Sequence, residues 1–344
     1  MDFMEWILKY EYALLLVVFA MAASLTWLFR LYALKRSLID VPNSRSSHTI
    51  PTPRGGGVAV VLTFLFMLPI LGLIGSIEWP MIWALSGAGV GIALIGFLDD
   101  LGHIPARWRL SAHFICATWG LLWIGGLPPL IWFGSSISLG WFGHVCAALY
   151  LVWLLNLYNF MDGIDGIASI EAITVCLSGV FLYFIVGQFN SGIPLLFLAA
   201  SVFGFLVWNF PPAKIFMGDA GSGFLGLTLG IFSLQAAHAN VNLLWAWLIL
   251  LGVFIVDATC TLIRRLLIGE KIYEAHRSHA YQHASRKYRA HKPVSLAVGA
   301  INMIWLLPFA ITVVLGKLDG ALAVLITYTP LILLAYYFDA GLSD

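Results

Sequence analysis

The sequence is short of charge. Only 10% of its 344 residues are Asp, Glu, Lys or Arg, while 61% are hydrophobic. Soluble domains carry about 25% charged residues, so this chain has too few to cover a water-facing surface. It is short of cysteine too. Cys116, Cys146, Cys176 and Cys260 lie in four different apolar runs, with no pairing or metal spacing. That argues against a disulfide framework and leaves them as small packing residues. Low-complexity tracts, a clear internal repeat and a separate soluble domain are all missing. The first apolar run is long and ends in a basic stretch without a small-residue cleavage pattern, so a cleaved leader is not expected. No nucleic-acid partner is expected either.

What the chain has instead is apolar runs of about 17–22 residues along its whole length, the span of a bilayer-crossing helix. Eleven are expected, centred near residues 20, 66, 89, 118, 149, 178, 201, 229, 254, 305 and 330. The fold class is therefore all-α, a polytopic integral membrane protein with one transmembrane domain over 1–344. Of the eighteen Lys and Arg residues, all but Lys9 and Lys317 fall in loops after odd-numbered spans. Under the positive-inside rule those loops face the cytoplasm, with the N-terminus outside and the C-terminus inside. The cytoplasmic segments carrying chemistry are expected near 34–57, 98–110, 156–168, 209–222 and 264–294.

The acids follow the same asymmetry. Asp99 and Asp100 end the third span, Asp162 and Asp165 follow the fifth, and Asp219 follows the seventh. Acids gathered at one membrane face are costly unless they meet a cation, a partner or water. In "GFLDDLGHIPARWRL", the Asp99–Asp100 pair precedes Arg107 and Arg109, as an anion site with a divalent cation would require; a solvated helix end with local salt bridges explains these residues equally well. In "NLYNFMDGIDGIASI", Asn156, Asn159, Asp162 and Asp165 recur every third residue, which on a helix would form one slowly drifting stripe. Four oxygen-bearing side chains in register suit Mg²⁺, which binds through one or two protein groups plus substrate phosphates. In "NFPPAKIFMGDAGSGFLG", Asp219 sits among glycines before the eighth span, where open backbone N–H groups would suit phosphate. The stretch "EAHRSHAYQHASRKYRAHK" puts His276, His279 and His283 on one helical face. It leaves zinc, anionic lipid and substrate phosphate open as ligands. Finally Arg54 opens "PRGGG" at the entry to the second span, a weak motif alone.

Together and in this order, "PRGGG", "LDD", "NLYNFMDGIDGIAS" and "FMGDAGSGFLG" resemble the polyprenyl-phosphate N-acetylhexosamine-1-phosphate transferases, a superfamily that includes phospho-MurNAc-pentapeptide transferase. The resemblance covers roughly residues 30 to 290, and the "AHRSHAYQHAS" loop looks most like the branch that starts O-antigen units. It implies transfer of an N-acetylated amino-sugar 1-phosphate, of GlcNAc or FucNAc type, from a UDP-sugar to undecaprenyl phosphate with release of UMP. It further implies Mg²⁺ or Mn²⁺, a bacterial inner-membrane location with the active site facing the cytoplasm, and leaves a homodimer open. By the same resemblance Asp219 and Asn159 are metal-binding, and Asp99, Asp100 and Asp219 are catalytic. Arg54, Arg109, Asn156, Asp162, Asp165, Asn209, Phe216, His276, Arg277 and His279 are expected at the substrate. Two departures put sugar selectivity in question: Tyr281 and Gln282 stand where many relatives have histidines, and Arg109 replaces a lysine. Two rival readings are considered. A transporter would need intramembrane acids, of which Asp257 and Glu171 are the only candidates, and repeated halves. A CDP-alcohol phosphatidyltransferase would need an Arg and further aspartates that "DGIDGIASIEAITV" lacks.

Overall fold

The computed structural model describes residues 3–42, 47–102, 104–270 and 276–342, with side chains from residue 13 onward. Parts of the expected loops at 34–57, 98–110 and 264–294 lie outside the described residues. The elements, in chain order, are helix α1 (Phe3–Lys35), strands β1 (Ile39–Asp40) and β2 (Thr52–Pro53), and helices α2 (Gly57–Leu73), α3 (Trp79–Leu101) and α4 (Ala106–Ile124). There follow strands β3 (Leu130–Trp132) and β4 (Ser135–Ile137), then helices α5 (Gly140–Met161), α6 (Ile167–Ile185), α7 (Phe189–Asn209) and α8 (Asp219–Ala239). The chain continues through α9 (Val241–Leu250), α10 (Gly252–Leu267), α11 (Ala280–Tyr288) and α12 (His291–Ala300). It closes with a π-helical segment (Ile301–Leu306), α13 (Leu307–Val314) and α14 (Gly320–Tyr337). The protein is a helical bundle, as expected, with two short antiparallel ribbons in its loops that periodicity did not reveal.

Among the described residues, eight helices are long and apolar enough to cross a membrane, or nine with the α9–α10 pair, which bends by 66°. The expected count of eleven exceeds this for two physical reasons. The segment near 66 is the 17-residue α2, shorter than the others. The segment near 118 is α4, whose first turns carry Arg107, Arg109 and His113 and so lower its apolarity. A helix nevertheless stands at every one of the eleven centres.

The bundle is organised around α8. Of its most apolar 18-residue stretch, 94% is buried, against 17% for the peripheral α1. Small residues let its neighbours close in, the usual way of bringing backbones together in a membrane. A Cβ on Gly57 would lie 2.5 Å from the Gly221 Cα, and one on Gly96 would lie 2.6 Å from the Ala220 N, so α2 and α3 press directly on the first turn of α8. These contacts draw the N-terminal ends of α2 and α8 and the C-terminal ends of α3, α5 and α7 to one place. At the opposite end, Trp83 and Trp123 pair at 6.3 Å, and Trp132 and Trp245 at 5.6 Å, forming the aromatic rim expected at a membrane interface.

Candidate active site

At that gathering point lies a cavity of about 410 Å³. Its walls include nine of the residues singled out from sequence: Arg54, Asp100, Asn159, Asp162, Asp165, Asn209, Phe216, Asp219 and His276. Asn156 and Arg109 stand just behind it, around an adjoining space of about 40 Å³ shared with Asn159 and Asp219.

The aspartates divide into open and engaged ones. The side chain of Asp219 is 35% exposed, whereas those of Asp99 and Asp100 are 6% and 8% exposed. Asp99 pairs with Arg109 and accepts the Ile104 N–H at 2.7 Å, and it is not among the residues lining the cavity. Arg109 also reaches within 3.7 Å of Asp219. Asp100 accepts the backbone N–H of Asp219 at 3.1 Å, while Arg54 donates to its carbonyl and stands 3.9 Å from its carboxylate. The expectation of open N–H groups at the start of α8 is therefore corrected: the Asp219 N–H is capped by a carboxylate from α3. Gly218 makes that cap fit. Its φ of +77° and ψ of 169° suit glycine almost alone, and a Cβ there would fall 2.6 Å from Asp100 Oδ2.

The stripe read from Asn156 to Asp165 is also corrected. Helix α5 ends at Met161, and Asp162 is its C-cap with ψ of 50°, so only Asn156 and Asn159 share a helix. The chain then turns through Gly166, at φ +76°, into α6. Asp162 and Asp165 reach the cavity from this turn. Asp165 is held by the Ala213 N–H at 3.0 Å and by His291 Nδ1 at 3.2 Å. Asn209 uses both ends of its amide on the backbone: Oδ1 accepts from Gly166 N–H and Nδ2 donates to the Ile215 carbonyl, each at 3.0 Å. It ties the α5–α6 turn to the 210–218 segment, with one hydrogen bond at each end of the amide. Asn156 likewise donates to Val152 O at 2.7 Å and faces His113. Phe216 stacks edge-on against His48 at 4.8 Å.

The histidine stretch is not one helical face, since α11 begins only at Ala280 and His276 precedes it. His279 is buried beneath the cavity, 3.3 Å from Asp257. Asp257 in turn accepts the N–H groups of Ala280 and Tyr281 at 2.9 Å each, capping α11 from α10. One of the two acids that would have counted towards transport is thus a helix cap. Arg277 does not line the cavity. His276 does, and burial together with the neighbouring His279 pushes its pKa down to about 3. It is a neutral imidazole at ordinary pH.

Burial and the carboxylates of Asp219, Asp100 and Asp165 hold the Asp162 carboxyl well above its usual range. A wall so rich in carboxylate, with amide oxygen from Asn159 beside it, offers the hard donors a divalent cation prefers. The residues present fit Mg²⁺. Among the described residues no group of three His, Cys, Asp or Glu has the arrangement of a self-sufficient metal site. Four polar wall residues escaped the sequence reading: Asp40, Ser47, His48 and Ser222. Ser222 follows Asp219 by three residues, a helical spacing that could have marked it; Asp40, Ser47 and His48 arrive from β1 and the segment between β1 and β2, whose placement no local pattern signals.

Comparisons with known proteins identify the family. Residues 82–237 match the profile of Glycosyl transferase family 4. A probable undecaprenyl-phosphate N-acetylglucosaminyl 1-phosphate transferase of Bacillus subtilis is 31% identical over 79% of this chain and 76% of its own length. An undecaprenyl-phosphate alpha-N-acetylglucosaminyl 1-phosphate transferase of Thermotoga maritima is 26% identical over 82% of this chain and 85% of its own. A phospho-N-acetylmuramoyl-pentapeptide-transferase of Chlamydia muridarum is 30% identical over 62% of this chain and 68% of its own. On these relationships, and on a bundle that gathers its acids at one end, the chain belongs to glycosyl transferase family 4, the superfamily of membrane polyprenyl-phosphate N-acetylhexosamine-1-phosphate transferases.

Proposed function

We propose that the protein transfers an N-acetylated amino-sugar 1-phosphate, of GlcNAc or FucNAc type, from a UDP-sugar to undecaprenyl phosphate, releasing UMP. The reaction would start a cell-surface polysaccharide such as O-antigen, at the cytoplasmic face of a bacterial inner membrane. The observation that carries this reading is the cavity that joins open and engaged carboxylates, Arg54 and a neutral histidine at the ends of the spans, with Arg109 at the adjoining space behind it.

In the reaction a phosphate oxygen of the lipid attacks the β-phosphorus of the donor. A new P–O bond forms, the bond from that phosphorus to the bridging oxygen breaks, and UMP departs with the electron pair. Asp219 and Asn159 would hold Mg²⁺, which supplies charge neutralisation for the diphosphate and its leaving group. The chain's own part is to offset and orient charge. Arg54 and Arg109, fixed by Asp100 and Asp99, are positioned to face anionic oxygens without moving during the step. Phe216 supplies an apolar face for the nucleobase, next to His48. Direct displacement is favoured over an aspartyl-phosphate intermediate because Asp99 and Asp100 are already bonded to groups of the protein, and because a phosphate monoester with a second pKa near ~6 needs no strong base.

The test is an in vitro assay. Purified protein, undecaprenyl phosphate and Mg²⁺ are offered UDP-GlcNAc and UDP-FucNAc separately. UMP and a lipid-diphosphate-sugar, lost with EDTA, are the expected products. Well-folded protein that is silent with a full panel of UDP-amino sugars would overturn the assignment.

A further inference from the structure

Glu171 is fully buried in the second turn of the apolar helix α6, about one and a half turns beyond the cavity. An intramembrane acid is costly and marks a functional element by default. Its partner is Asn302, whose Nδ2 donates to Glu171 Oε2 at 2.6 Å and to Thr174 Oγ1 at 2.8 Å. Asn302 is itself buried, and it lies in the six-residue π-helical segment that follows α12. Such segments are rare and concentrate where function needs an altered register.

Helix α12 shows what this register controls. His291, Ser295 and Gly299 recur every fourth residue, and Asn302 follows three later, so one stripe of α12 and its π-helical continuation faces the N-terminal half of α6. Each member makes a defined contact. His291 meets the Asp165 carboxylate at 3.2 Å, and Ser295 Oγ donates to the Asp165 carbonyl at 2.7 Å. Gly299 lets the helices touch, since a Cβ there would lie 2.8 Å from Ile170 Cγ2. Asn302 closes the seam on Glu171. The cavity wall at Asp165 is therefore one end of a zipper whose other end is a polar bond within the apolar layer.

We infer that Glu171 and Asn302 are positioning residues: their buried bond sets the depth of α12 against α6 and so places His291 and Asp165 at the donor side of the cavity. The inference rests on the proposed reading of that cavity as a nucleotide-sugar site. It predicts a specific division of labour. The pair touches no substrate, and it acts on donor binding, leaving the acceptor and the chemical step alone. Glutamine keeps the oxygen that Asn302 bonds; leucine removes it and leaves the amide of Asn302 with one partner fewer.

The experiment compares Glu171→Gln, Glu171→Leu, Asn302→Leu, the double leucine variant and Gly299→Ala, each as full chain in detergent. Two readouts are taken: steady-state kinetics with the UDP-sugar and polyprenyl phosphate, and hydrogen exchange at the 162–167 backbone. Glu171→Gln is expected to match wild type in both. The leucine variants and Gly299→Ala are expected to raise donor KM about tenfold, with kcat and acceptor KM within about twofold, and to speed exchange at Asp165 and Gly166. The double variant is expected to equal a single one, because both lesions break one bond. Unchanged donor KM and exchange in folded Glu171→Leu would overturn the inference. So would a loss that falls on kcat and tracks melting temperature alone. If Glu171→Leu does not fold, Asn302→Leu and Gly299→Ala decide by the same criteria. If wild type is silent with every UDP-sugar yet exchange responds to the seam, the functional reading fails while the seam stands.

Discussion

Replacing Gly218 by alanine tests the way the α8 N-terminus is built. At φ +77° and ψ 169° a non-glycine residue pays about 1–3 kcal/mol in backbone strain. The added Cβ would sit 2.6 Å from Asp100 Oδ2 and 3.0 Å from the Gly55 backbone, so Asp100 must swing away. Doing so breaks its charged bond to the Asp219 N–H, worth about 1.5–3 kcal/mol. The local total is then roughly 3–6 kcal/mol, and its relief moves Asp100, Asp219 and the Gly55 turn relative to one another. A displacement of about 1 Å at reacting groups costs on the order of 10²-fold in rate. Gly134 is the control: it shares the φ of +77° but has nothing within 4 Å of its added Cβ. Gly134→Ala should therefore cost about 1–2 kcal/mol and leave turnover untouched. The assay is UMP release with polyprenyl phosphate, beside a thermal melt in detergent. Gly218→Ala is expected to lower kcat/KM by about 100-fold. Activity within about threefold of wild type, or equal damage from Gly134→Ala, would refute this account of the site.

Asp219→Ala should abolish turnover while the protein still folds, and should erase the rise in Tm that Mg²⁺ gives wild type, about 2.7 kcal/mol of stabilisation at one hundred times Kd; retained turnover would sink the metal assignment. Asn209→Ala should lower Tm markedly, because the Gly166 N–H and Ile215 carbonyl each lose a buried partner at about 1–3 kcal/mol, and a normal melt would show that the amide is not the tie between the two segments. His276, held neutral with its pKa near 3 against 6.5 in the unfolded chain, binds a proton only on unfolding across that window. It therefore contributes stability that is present above about pH 6.5 and lost as pH falls towards 3. His276→Gln should melt with a shallower acid-side decline than wild type between those limits, and superimposable melting profiles would refute its burial as a neutral ring.

The reaction class and the helical membrane character were legible in the chain because they depend on composition and on short, ordered motifs. Low charge content and recurrent apolar runs leave a bilayer as the only solvent that suits them. The four motifs lie in order, and seven of the residues singled out in them do converge on one cavity, joined by Asn209 and His276. Individual roles were less legible. Asp99 and Asp100 look equivalent in "LDD", yet one pairs with Arg109 and the other caps α8, since neighbouring side chains on a helix diverge by about 100°. Asn209 reads as a substrate contact, but both ends of its amide serve the backbone. The periodic stripe through Asp165 failed because the helix stops at Met161, at a C-cap that no three-residue rhythm announces.

Sequence alone thus determined the solvent, the helical class and the inventory of acids, amides and cations, all properties of local pattern. Tertiary structure decided which of them are spent on each other. Burial by α8 and its glycine contacts presses the polar groups at that end towards partners, because an unpaired one in so dry a place is costly. Asp99, Asp100, Asn209 and Asp257 meet that demand within the protein. Asp219 remains partly open to the cavity. Which side chains were consumed and which were left facing the cavity depended on contacts between residues as far apart as Asp165 and His291, and such distances are set only when the helices pack.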